Sequence, residues 1–314
     1  MIQIKNVTKK YGNHVAVDDI TLDIKPGKIY GFLGPNGAGK STTMNIITGY
    51  LAPTSGEVTI DGHDIYKEPE QAKACIGYLP EIPPLYVDMT AVEYLKFVAE
   101  LKKVGKQNVE KEVNRVMELT DISDVSERLI KNLSKGYRQR VGLAQALIGS
   151  PKVIILDEPT VGLDPSQIKE MRDLIKSLSN DHTVILSSHI LSEISETCSH
   201  VFIINNGKII ANNAIETLSN YFNSKQVLEI IAKGDADKCK ELIEAIDDIE
   251  SVVVENGAEE GTVNITVTAN YSKDVREAVS LALSSEKISI FEMKEDTKSL
   301  EDVFLELTAK EEEE

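Results

Sequence analysis

Gly34-Pro35-Asn36-Gly37-Ala38-Gly39-Lys40-Ser41 is the stretch on which the reading of this chain turns. It fits the pattern G-x-x-x-x-G-K-[ST]. Glycines at these spacings let the backbone come close to a ligand, so that successive N–H groups face phosphate oxygens. The apolar run Ile29-Tyr30-Gly31-Phe32-Leu33 precedes the loop. Ser41 to Tyr50 reads as a helix whose positive N-terminal end adds to the anion site. In that setting Lys40 is expected to reach the β- and γ-phosphates of a nucleotide, and Ser41 to place its hydroxyl on Mg²⁺. A glycine-rich turn matching by chance would lack the strand before it and the helix after it.

A second stretch, Ile154-Ile155-Leu156-Asp157-Glu158, supplies the partner such a loop needs. Asp157, at the end of a buried-type strand, is placed to hold Mg²⁺ through water, and Glu158 to polarise an attacking water. Two solvated acids at a strand end are common, but next to a phosphate loop the catalytic reading is stronger. Around these motifs, residues 1–30 alternate apolar and polar with turns at Tyr11-Gly12-Asn13 and Lys25-Pro26-Gly27, as antiparallel strands do. Glu57 to Ile60 with Asp61-Gly62 predicts a further strand and hairpin. Thr90 to Ile148 is mostly helical in pattern, opened by Thr90 and Glu93 as a capping box. Val153–Leu156 and Thr183–Leu186 read as buried strands, and strands alternating with helices imply a largely parallel sheet.

Beyond Asn220 the pattern changes to strand, helix, strand, strand, helix, strand, the βαββαβ order of a ferredoxin-like unit. A final helix over about Ser299–Leu307 and a solvated tail, Glu311–Glu314, are expected after it. The charge is uneven. The net value is −17; residues 221–314 carry 10 basic and 24 acidic side chains, which puts −14 there and −3 on residues 1–220. That balance argues against nucleic acid or anionic lipid as a long-range partner. Apolar stretches such as Val153–Leu156 are far shorter than the ~18–20 residues that span a bilayer, and Met1–Lys5 does not read as a signal peptide. Cys75, Cys198 and Cys239 are widely spaced, which speaks against a disulfide framework or a cysteine zinc site. These features lead to the expectation of a cytosolic chain that does not itself cross the membrane.

Two more segments carry a family resemblance. Leu133-Ser134-Lys135-Gly136-Tyr137, with Arg138-Gln139-Arg140 after it, resembles the L-S-G-G-Q signature of ATP-binding cassette (ABC) ATPases. The order of Tyr11, the phosphate loop, the signature, Asp157-Glu158, Val161-Gly162-Leu163-Asp164 and Ser188-His189 agrees with that family over residues 1–220. The resemblance implies an α/β P-loop NTPase cassette: a RecA-like core, an antiparallel β subdomain and a helical subdomain at about 85–148. The expected nucleotide-binding domain covers residues 1–221, with a small acidic α+β, ferredoxin-like domain over 222–314. The chain looks like the separate ATPase subunit of an exporter-like transporter, and Leu300-Glu301-Asp302-Val303-Phe304-Leu305-Glu306-Leu307 also occurs in that subgroup.

Family roles then fall on particular positions. Tyr11 would stack on adenine, and Gly34, Pro35, Asn36, Gly37, Ala38, Gly39, Lys40, Ser41 and Thr42 would hold the phosphates of ATP. Ser134 and Gly136 would cap the γ-phosphate bound by a second copy of the chain, and Asp164 would connect the two sites. His189 would contact the γ-phosphate and orient water or Glu158. Lys40, Glu158 and His189 are thus the catalytic candidates, and Ser41, Asp157 and Glu81 the Mg²⁺ candidates. The implied partners are a second copy and an integral membrane permease, the latter placing the chain on the inner face of the cell membrane. Three positions depart from the pattern: Lys135 and Tyr137 stand for Gly and Gln in the signature, and Glu81, in Tyr78-Leu79-Pro80-Glu81, stands where Gln is usual. Pro83-Pro84-Leu85-Tyr86 follow, in the region that contacts the permease in this family.

Two alternatives remain open at this point. One is a non-transport cassette ATPase acting on ribosomes or DNA, although such proteins usually carry tandem cassettes or long coiled coils. The other is a nucleotide-gated assembly module, against which Glu158 and His189 argue.

Overall fold

The apolar run before the phosphate loop forms β3 (Ile29–Leu33), buried along its whole length as a strand covered on both faces must be. In the computed structural model, which describes residues 1–215, 217, 225–257, 259, 261–270 and 274–296, β3 is central in a six-stranded sheet. Its neighbours are β6 (Ile76–Leu79), β7 (Val153–Asp157), β8 (Thr183–Ser188), β9 (His200–Asn205) and β10 (Lys208–Ala214), in the order β10-β9-β3-β8-β7-β6. All pairs are parallel except β10 with β9. The register sets Leu33 level with Ser188 and Asp157 level with Ser187. The C-terminal ends of β3, β7 and β8 therefore finish at one edge, where parallel α/β sheets bind ligands.

A second, antiparallel sheet joins β1 (Ile2–Tyr11), β2 (His14–Ile24), β4 (Ser55–Ile60) and β5 (His63–Asp64) in the order β2-β1-β4-β5. Ile4, Ile20, Leu22 and Ile60 from it share one core with Phe32, Met44, Ile155 and Phe202 of the nucleotide-loop side. Each such side chain contributes roughly 1.5–3 kcal/mol on burial, so the two sheets hold one another in place. The β1–β2 hairpin thereby stands at a fixed position beside α1 (Lys40–Ile47), which begins one residue before the expected helix and ends earlier.

The helical segment consists of α3 (Ala91–Leu101), α4 (Val109–Leu119) and α5 (Lys135–Leu147), after the short α2 (Pro69–Ala74). The capping box at Thr90 is formed: its Oγ1 accepts from Glu93 N–H, and its own N–H donates to Glu93 Oε2 at 2.8 Å. Ser134 caps α5 by accepting from Tyr137 N–H at 3.3 Å. The other end of α5 is closed by Lys102, whose Nζ donates to the carbonyls of Ala146 (3.1 Å) and Ile148 (2.8 Å). Two more helices, α6 (Pro165–Leu178) and α7 (Leu191–Thr197), follow β7 and β8. Among the described residues no helix is long and apolar enough to cross a membrane.

The chain divides into two compact units, Met1–Ile215 and Glu216–Glu314. In the second, β11 (Lys225–Lys233), α8 (Ala236–Glu244), β12 (Ile249–Asn256), β13 (Thr262–Asn270), α9 (Arg276–Ser285) and β14 (Ser289–Asp296) follow the βαββαβ order. The sheet order β12-β13-β11-β14, antiparallel throughout, is that of a ferredoxin-like unit. Leu228, Ile230, Ile265 and Val267 form its core with Ile243, Val279 and Leu283 of the two helices. The expected final helix at 299–307 and the acidic tail lie outside the described residues.

Candidate active site

The loop 34–39 leaves β3 and turns into α1 at Gly39, whose φ of 108° is in the left-handed region. A side chain there would be strained by that φ and would also place its Cβ 2.5 Å from the Ala16 carbonyl oxygen. At Gly34 a Cβ would meet the Ile204 carbonyl oxygen at 2.3 Å. The loop is thus wedged between β2 and β9, which fixes its amides. Lys40, buried at the start of α1, donates from Nζ to the carbonyls of Gly34 (2.8 Å) and Pro35 (3.2 Å). The same ammonium lies 3.6 Å from Glu158 Oε1. A phosphate seated in the loop meets this cation.

Glu158 follows β7 with a φ of 48°, an uncommon conformation for a side-chain-bearing residue. Ser187 on β8 holds it there: Glu158 N–H donates to the Ser187 carbonyl (3.2 Å) and lies 3.1 Å from Ser187 Oγ. The Ser187 hydroxyl in turn donates to Asp157 Oδ1 at 2.5 Å. One serine therefore orients both acids. His189, half exposed beyond the end of β8, sets its Nδ1 3.0 Å from Glu158 Oε2. Glu193 on α7 fixes both strand ends further, accepting from Thr160 Oγ1 (2.8 Å) and Ser188 Oγ (2.9 Å).

Ser41 Oγ and Asp157 Oδ1 stand 3.4 Å apart. A hydroxyl and a carboxylate side by side are the hard oxygen donors that Mg²⁺ takes, with waters and substrate phosphates filling the remaining positions. Among the described residues no cluster of three or more His, Cys, Asp or Glu could hold a metal by itself. The donor set therefore fits a cation that arrives with its nucleotide.

Lys40, Ser41 and Glu158 open into one cleft of about 450 Å³ that Tyr11, Glu81 and His189 also line, while Asp157 stands behind Ser41 and does not line it. Tyr11 is half exposed, and the Lys9 ammonium lies 5.2 Å from the centroid of its ring, covering one face. Ser134, Gly136 and Asp164 do not line the cleft. Ser134 and Asp164 are exposed, each capping a helix, and the Asp164 carboxylate accepts from Gln167 N–H at 2.9 Å. Of the departures from the signature, Tyr137 donates its hydroxyl to Asp124 at 3.1 Å, and the Lys135 ammonium packs over Gly162. Sequence reasoning misses four residues: Ser187, Glu193, His14 and Ala16. The first two act through contacts across strand ends. The last two line the cleft from β2, a strand the motif does not reach.

Comparison with known proteins gives this arrangement a family. The profile of the ABC transporter family matches residues 17–161. The ABC transporter ATP-binding protein YhcH of Bacillus subtilis is 36% identical over 317 residues, spanning 100% of this chain and 98% of the relative. The chain belongs to the ABC transporter family. The bacitracin transport ATP-binding protein BcrA of Bacillus licheniformis is 42% identical over 212 residues, covering 67% of this chain and 68% of that protein. A solved dimer of the ATP-binding cassette MJ0796, in a post-hydrolysis state with ADP and Pi, matches with a TM-score of 0.63 and 27% identity. It covers 68% of this chain and 99% of that one. The protein is accordingly an ABC ATPase, the ATP-binding and ATP-hydrolysing subunit of a transporter, and its cassette has the fold expected for the family.

Proposed function

We propose that this ABC ATPase acts as a head-to-tail homodimer that drives a separate membrane permease, in the direction of export. The observation that carries the dimer is the split in the site. Tyr11, the phosphate loop, Glu158 and His189 share one cleft, whereas Ser134, Gly136 and Asp164 lie outside it, Ser134 and Asp164 exposed and Gly136 buried at the start of α5. Each protomer then lends its signature to the cleft of its partner. The N-terminal end of α5 at Ser134 brings its amides and helix dipole to a γ-phosphate.

Within the cleft, Tyr11 stacks on adenine with the ring face that Lys9 leaves open, and residues 34–42 hold the phosphates. Ser41 and Asp157 would hold Mg²⁺, with the Glu81 carboxylate a further oxygen donor in the cleft; the ion would supply charge neutralisation at the phosphates. Glu158 takes the proton of the attacking water and His189 holds Glu158 in line. Binding closes the dimer, hydrolysis and release reopen it, and the permease follows.

A second, apolar groove of about 580 Å³ supports the permease contact. It is lined by Tyr50, Tyr78, Pro80, Ile82 and Pro84, of which Tyr50 and Ile82 are 83% and 81% exposed. Large apolar side chains held in water at a groove mark an interaction surface. Relatives named for bacitracin transport and linearmycin resistance support export, and a permease partner would seat the chain on the cytoplasmic face of the membrane. The test of the dimer is complementation. Lys40→Ala and Gly136→Asp each inactivate a homodimer, but a mixed dimer carries both lesions in one site and none in the other. Recovery of ATPase on mixing is expected; none in verified heterodimers overturns the head-to-tail arrangement.

A further inference from the structure

Glu193 stands on α7 and does not line the cleft. Among the described residues it makes no ion pair. Instead a single oxygen, Oε2, accepts from two hydroxyls, Thr160 Oγ1 at 2.8 Å and Ser188 Oγ at 2.9 Å. Thr160 and Ser188 are both buried. An ionised carboxylate only accepts, so both hydroxyls have to donate to it, in the stronger kind of hydrogen bond that a charge gives. With its proton so committed, Ser188 Oγ is left as an acceptor and takes Ile190 N–H at 3.0 Å. His189 sits between Ser188 and Ile190, so this chain of bonds fixes the backbone on both sides of it. Thr160, for its part, opens the turn that leads from Glu158 to α6. Its carbonyl accepts from Leu163 N–H at 3.1 Å, Val161 of the same turn lines the cleft, and Asp164 caps α6. The same α7 also reaches α6 directly, through the ion pair of Glu196 with Arg172.

The turn after β7 and the turn after β8 therefore meet on one carboxylate. Removing it leaves two buried hydroxyls without their acceptor and releases both turns at once. We propose that Glu193 is a positioning residue: it locks the turn that carries His189 to the turn that runs from Thr160 to Asp164, and His189 is held in line with Glu158 only while the two are clamped together. The proposal rests on the reading of His189 as the group that orients Glu158, and adds what holds His189 in place.

The experiment is steady-state ATPase kinetics on the full chain, with melting curves alongside, in wild type, Glu193→Ala, Glu193→Gln, His189→Ala and the double variant Glu193→Ala/His189→Ala. Misplacing a catalytic contact predicts that Glu193→Ala lowers kcat roughly 10–100-fold and leaves KM for ATP within about two-fold, since the loop that binds the phosphates is untouched. Glu193→Gln keeps an acceptor oxygen at the same place and recovers most of the rate. The double variant is no slower than the slower single one, because a contact already released is not lost twice. If Glu193→Ala does not fold, Ser188→Ala, which frees the same turn by loss of one hydroxyl, takes its place in the cycle. Losses that multiply in the double variant overturn the proposal, and so does a Gln variant as slow as the Ala variant. Wild-type kcat in Glu193→Ala beside a slow His189→Ala overturns it too and leaves the reading of His189 standing. Wild-type turnover in His189→Ala is the separate result that brings down that reading, and the proposal with it.

Discussion

Replacing Glu158 by Gln tests the chemistry assigned to the cleft. The two carboxylate oxygens have different neighbours: Oε1 lies 3.6 Å from Lys40 Nζ and Oε2 lies 3.0 Å from His189 Nδ1. Gln keeps the length and one oxygen, so either contact can persist, but the amide cannot accept a proton from water. Loss of a positioned general base costs about 10²–10⁴ in rate, or roughly 3–5 kcal/mol of barrier. Binding is expected to survive, because the loop amides, Lys40 and Asp157 are untouched. Affinity for ATP should even rise, since Lys40 no longer shares its charge with a buried carboxylate and still has the carbonyls of Gly34 and Pro35 as partners. The variant should therefore bind Mg-ATP, turn it over very slowly and accumulate as a closed dimer. A phosphate-release assay run beside size-exclusion chromatography, with and without Mg-ATP, reads both effects. Turnover within a few-fold of wild type would remove Glu158 as the base and leave His189 as the next candidate. Slow turnover with no ATP-dependent dimer would keep the base but break the link between hydrolysis and reopening.

Ser187→Ala removes the hydroxyl that donates to Asp157 and sits by Glu158 N–H, so kcat should fall roughly 5–100-fold with the fold intact, checked by steady-state kinetics and circular dichroism. Lys102 is held by desolvation at a pKa lowered to about 8, against 10.5 for an ordinary lysine. The folded chain thus releases this proton near pH 8 and the unfolded chain near pH 10.5. Unfolding between those values takes up a proton, and stability rises with pH across that window. Wild type should gain stability over Lys102→Met between pH 8 and pH 10.5, by clearly less than the full shift because the residue is exposed and water screens it, as read by urea unfolding; a constant difference would refute the desolvation argument. Ile82→Glu places a charge in the apolar groove and should abolish co-purification with the membrane permease, tested by affinity capture from solubilised membranes.

How much of this was legible in the residues follows from where each constraint acts. The phosphate loop and Asp157-Glu158 are chemistry packed into consecutive residues, so eight and five letters suffice to read them. The strand that carries Asp157 is likewise apolar at every position before the acid. Three strands go beyond what the pattern predicts. β6 is only four residues long, and its Gly77 is there because the Ala146 carbonyl oxygen of α5 comes within 2.2 Å of where a Cβ would be. That reason lies on another element and leaves no local periodicity. β9 and β10 come after the last motif, and β9 owes its place to parallel pairing with β3, about 170 residues earlier. Element ends shift for a similar cause: α1 starts at Lys40 because Gly39 can take a left-handed φ against Ala16, a contact made by β2. The same argument sorts the site. Lys40, Ser41, Asp157 and Glu158 sit where the motif puts them, but Ser187 and His14 are placed by strand register and Glu193 by α7. Ser187 is level with Asp157, and His14 is level with Tyr11, only once the strands have paired. A motif specifies which atoms meet the phosphate; the sheets decide which side chains hold those atoms still.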